Sequence, residues 1–96
     1  MSNPQITRVV DQNGERNFSA GMTVVKPFGF KGTDSAGHGG GVNVNGPSFN
    51  SLAWTIDDNG NWYTGNLTPF INGTYEVYAV CSTTLTQSTT VAIEVT

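Results

Sequence analysis

His38-Gly39-Gly40-Gly41 spells an oxyanion-hole motif, in which backbone N–H groups stabilise a developing negative charge. That chemistry also requires a nucleophile elbow of the form Gly-x-Ser-x-Gly and a separate basic histidine. Gly46-Pro47-Ser48-Phe49-Asn50 lacks the second glycine, and His38 is the only histidine in the chain. The run therefore reads as a mobile surface loop and the chain as non-enzymatic, with His38 retained as a candidate ligand contact.

Asp57, Asp58, Asn59 and Asn61 put several side-chain oxygens at short spacing, which suits a hard cation such as calcium. An EF-hand would add a bidentate Glu at the twelfth position, and none is there. Asx-turn chemistry explains the same residues without a metal. Asp57 and Asp58 stay as weak calcium candidates, with Asp11 and Asp34 as the other loop acids that could contribute at a domain end.

Cys81 is the only cysteine, so no internal disulfide can form. It shares strand parity with Tyr75, Val77 and Ala79, and Val80 and Ser82 supply no positive charge to lower a thiol pKa. It reads as a buried structural thiol. By parity with Leu52 and Ile56, Trp54 points inward, and Trp62 caps the same core. Tyr63 and Tyr78 have the opposite parity, which makes them the exposed aromatics available to a glycan or protein ligand. Asn17-Phe18-Ser19, Asn66-Leu67-Thr68 and Asn72-Gly73-Thr74 are sequons by spelling, and a chain this rich in Asn, Thr and Ser produces such triplets by chance.

The elements that must position these residues are strands. Charged residues make up 11% of the 96 residues, under half the usual ~25%. Asn, Thr, Ser and Gly take their place, which suits turns and sheet faces and disfavours helices. With a formal net charge of −3 and four Lys and Arg in all, there is no basic face for phosphate, so nucleic acid is not an expected partner. No apolar run approaches the ~18 residues of a bilayer span.

Asp57-Asp58-Asn59-Gly60-Asn61-Trp62 is the strongest local signal. It lies between Leu52–Ile56 and Trp62–Leu67, and Asn59-Gly60 predicts a two-residue type I′ turn with φ > 0 at both residues. Further strands are expected over 5–10, 24–30, 42–45, 74–82 and 91–95, with Pro27 at an edge or bulge and residues 32–41 as a loop. Pro69–Gly73 reads as a turn. Residues 1–4 read as a natural start or a cloning remnant, and 5–96 as one domain. About seven short strands at roughly 8–12-residue spacing predict an all-β sandwich.

The chain also resembles the bacterial immunoglobulin-like modules that occur in tandem in large surface proteins and adhesins. The resemblance is carried by Ile6-Thr7-Arg8-Val9-Val10-Asp11 with Asn13-Gly14, by Ala20-Gly21-Met22-Thr23, and by Phe30-Lys31-Gly32-Thr33. It continues through Ile56-Asp57, Asn59-Gly60-Asn61-Trp62, Leu67 and Gly73-Thr74-Tyr75-Glu76-Val77-Tyr78-Ala79. It implies an immunoglobulin-like β-sandwich of about seven antiparallel strands, serving as a structural spacer in an extracellular or cell-surface protein. Its partners would be neighbouring domains of a larger chain, and a cell-surface glycan or protein in the case of a binding module. A phage virion or tail decoration domain of the same fold is the other alternative.

Overall fold

The computed structural model describes residues 3–66 and 71–96. Every regular element among them is a strand: β1 (Gln5–Asp11), β2 (Gly14–Asn17), β3 (Thr23–Val24), β4 (Gly29–Thr33), β5 (Gly40–Asn45), β6 (Phe49–Ala53), β7 (Thr55–Ile56), β8 (Asn61–Tyr63), β9 (Gly73–Cys81) and β10 (Val91–Val95). They form two five-stranded sheets, ordered β2-β1-β4-β8-β7 and β3-β10-β9-β5-β6. Alternation explains the packing. In β9, Tyr75, Val77, Ala79 and Cys81 are buried while Thr74 and Glu76 are exposed. Val9, Phe30 and Trp62 of the first sheet join Val42, Val44, Ile93 and Val95 of the second in one core. The architecture is that of a β-sandwich.

Three differences raise the strand count from about seven to ten. The polar segment Glu15-Arg16-Asn17 carries no apolar signal, yet it pairs antiparallel with β1 as an edge strand. The expected strand over 24–30 divides, because the chain leaves the second sheet after Val24 and joins the first at Gly29. Pro27, which has no N–H for a ladder, lies in that crossover. The run Leu52–Ile56 divides in the same way at Trp54, with β6 in one sheet and β7 in the other. Pairing is also not wholly antiparallel, since β3 runs parallel to β10.

The loop expected over 32–41 is shorter, because Gly32 belongs to β4 and Gly40 and Gly41 open β5. A side chain at Gly40 would run into the Trp54 ring and the Val80 carbonyl, so this glycine permits a close approach within a strand. Of the expected turn over 69–73, Pro69 and Phe70 lie outside the described residues, as do Leu67 and Thr68.

The ends of the chain are set apart. Gln5 opens β1 opposite Thr33, the last residue of β4. The close of β1 meets the close of β3, where the Asp11 carboxylate accepts from the Val25 N–H at 3.0 Å. Thr96 joins there too, accepting from the Lys26 N–H at 3.0 Å and donating its own N–H to Val24 at 2.9 Å. The seven residues of β1 cover roughly 20 Å at ~3.3 Å per residue. The chain thus enters at one end of the strands and leaves at the other, in a body whose longest dimension is 34 Å.

Candidate functional site

Three loops meet at the end where the chain enters: residues 34–39, 57–60 and 82–88. In the first, Ser35-Ala36-Gly37-His38 closes with a 3.1 Å bond from the His38 N–H to the Ser35 carbonyl. Gly37 has φ +81°, as the third residue of a type II turn requires. The second loop is tied to the first by the Asp34 N–H on the Gly60 carbonyl at 2.9 Å. The third is tied by the Ser82 N–H on the Gly39 carbonyl at 3.0 Å. Beneath them Trp54 and Trp62 stack face to face, with centroids 4.4 Å apart and planes 11° apart. The Trp54 Nε1–H donates to the His38 carbonyl at 3.2 Å, so the indole that floors the loop also holds it.

This arrangement gathers Asp34, His38 and Cys81, whose donor atoms all lie within 4.8 Å of one another. His38 Nδ1 is 3.6 Å from Cys81 Sγ. Cys81 is fully buried as expected, whereas Asp34 and His38 are half-buried. Along the chain Val80 and Ser82 supply no charge to Cys81, and its ionisable neighbours come from another segment. β9 delivers Cys81 to the loop end as its last residue, and β5 pairs Gly40 opposite it, two residues beyond His38. The available signal was that Cys81 closes the longest alternating strand, which places it at a loop end.

The other candidates do not join this group. Asp57 Oδ1 accepts the N–H groups of Asn59 and Asn61, both at 2.9 Å. These bonds, that from Asn61 foremost, hold its carboxyl below the usual carboxylate range. The hairpin exists where it was expected, with Ile56 opposite Trp62, but its turn is of another type. Among the described residues Leu85 is the one non-glycine with positive φ, so Asn59 does not have the predicted conformation. The Gly60 N–H bonds to the Asp57 carbonyl at 3.2 Å and Gly60 takes φ +82°, giving a three-residue loop that ends in a left-handed glycine bulge. Asp57 favours this form because its side chain caps the turn, which leaves Asp58 exposed beside it.

Tyr63 and Tyr78 lie on different sheets with outward parity, so they face opposite sides of the sandwich. Tyr78 Oη accepts from Asn43 Nδ2 at 2.9 Å, and Lys31 Nζ sits 5.7 Å from the Tyr63 ring centroid. Asp11 is at the opposite end from Asp34. Its carboxylate is fully buried and bonded to Arg16 Nη2 at 2.6 Å, as well as to the N–H groups of Asn13 and Val25.

The chain matches no protein-family model, and no curated protein or solved structure matches it significantly.

Proposed function

We propose that this chain is a non-enzymatic structural module, an immunoglobulin-like spacer of a bacterial extracellular or cell-surface protein of the adhesin type. The reading rests on one observation: the first and last strands bring the chain in at one end of the sandwich's strands and out at the other. Copies joined in series then extend along one axis, and neighbouring domains of a longer chain are the natural partners. The sheet orders support the immunoglobulin-like form. β1-β4-β8-β7 has the neighbour relations of strands A-B-E-D, and β10-β9-β5-β6 those of G-F-C-C′. Tyr75, near the start of β9, donates its hydroxyl to the Ile71 carbonyl four residues upstream, in the manner of a tyrosine corner.

Two copies fused directly, Thr96 to Asn3, test the spacer role by small-angle scattering. An extended pair has a maximum dimension of about 70 Å, twice the 34 Å of one copy. Side-by-side folding, with a maximum dimension close to that of one copy, would refute it. The glycan-binding alternative draws support from a shallow hollow where Tyr63 meets Lys31, Thr55, Asp57 and Asn61, an aromatic face ringed by polar groups. Retention on a glycan array that is lost in Tyr63→Ala would favour that reading.

A further inference from the structure

The geometry points to a zinc site at the loop end, formed by Cys81 Sγ, His38 Nδ1 and an Asp34 carboxylate oxygen. This goes beyond the spacer role, which needs no metal. Zinc bonds of about 2.3 Å to sulfur and 2.0–2.1 Å to nitrogen, at a tetrahedral angle, set those two donors about 3.5–3.6 Å apart. The observed separation is 3.6 Å. The carboxylate lies within 4.8 Å of both. A tetrahedral edge to oxygen is about 3.5 Å, so Asp34 closes by on the order of 1 Å, within a loop that also contains Gly37 and Gly39.

A soft thiolate, a borderline imidazole and a hard carboxylate are all zinc ligands. Calcium would need six to eight oxygens and has no use for the other two. His38 and Asp34 are half-buried and Cys81 is fully buried, so the ion enters past the histidine and the aspartate. Binding displaces the thiol proton to solvent and leaves one tetrahedral position for water.

The composition makes the test clean. With one histidine and one cysteine in the chain, a thiolate–imidazole signature arises at this pair alone. Reduced full-length chain is titrated with Zn²⁺ against a chromophoric chelator, and with Co²⁺ as the spectroscopic probe. One equivalent of Zn²⁺ should bind. Co²⁺ should give a thiolate charge-transfer band in the near ultraviolet and the intense visible bands of a four-coordinate ion. His38→Ala, a change in a surface loop, should keep the fold by circular dichroism, lose the visible bands and weaken zinc binding at least tenfold. Asp34→Asn should weaken it less. A pale six-coordinate cobalt spectrum would overturn the site and leave an S–H···N hydrogen bond in its place. So would a charge-transfer band that survives His38→Ala, or one that appears only as the chain dimerises.

Discussion

The two ends of the sandwich each hold a loop aspartate, and the two are used in opposite ways. The Asp11 carboxylate, at the exit end, is fully buried and surrounded by donors: the Arg16 guanidinium and two backbone N–H groups. It fastens β1 to the β3 crossover, and three of its four acceptor sites are taken by donors. Asp34, at the entry end, accepts the Ser35 N–H at 2.7 Å and also lies beside an imidazole and a thiol, groups that offer electron pairs of their own. A carboxylate closed off by N–H donors is a lock, and one that also faces other lone pairs is a ligand in waiting. Residue type alone does not distinguish them, because the difference lies in what the fold brings to each.

The largest expected effect tests whether the entry end has a firm floor. Trp62 is 2% exposed and stacked on Trp54. Trp62→Ala should cost about 3–5 kcal/mol by chemical denaturation, the range for emptying a buried aromatic site. An unchanged denaturation midpoint would mean the indole pair does not support the loops.

The lock itself comes next. Asp11→Ala leaves the Val25 N–H and its companions without their acceptor, and should cost about 2–3 kcal/mol at ~1–3 kcal/mol per unsatisfied buried group. Asp34→Ala, in the metal-free protein, should cost less than half as much. Equal losses would abolish the contrast between the two ends.

Gly60 sharpens the comparison from a third side, because it joins the hairpin turn to the 34–39 loop. Its φ of +82° is strained for any side chain, and an added Cβ would meet the Asp34 carbonyl. Gly60→Ala should therefore cost about 1–3 kcal/mol, read as a lower melting temperature. Full tolerance would show that the contact with Asp34 gives way freely.

The smallest effect is electrostatic. Backbone N–H groups lower the Asp57 pKa in the folded state, so its ionised form stabilises the fold above the unfolded pKa of ~3.9, and that contribution is lost as pH falls through the folded pKa. Glu15, lowered chiefly by its bond to Lys31, acts in the same direction. Asp57→Asn keeps the turn acceptor and removes the charge. The variant should lose less melting temperature than the parent between about pH 5 and pH 2. Identical slopes would assign the acid sensitivity elsewhere.

How far the sequence reads differs between strands and site. Alternation in Tyr75, Val77, Ala79 and Cys81 determined which face of β9 is buried, because successive strand side chains point to opposite faces. Asn59-Gly60 located the hairpin. It misjudged the turn, since Asp57's capping carboxylate competes with the type I′ geometry the dipeptide favours. Sheet membership was not legible at Val24–Phe30 or at Leu52–Ile56, because a segment with recurring apolar residues looks the same whether it stays in one sheet or crosses between two. β2 was not legible either, since an edge strand can hold itself by backbone bonds to β1 with no apolar residue to announce it. The meeting of Asp34 and His38 with Cys81, 43 residues beyond the histidine, depends on β5 pairing with β9. That pairing is a long-range backbone register, and no local pattern in the chain encodes it.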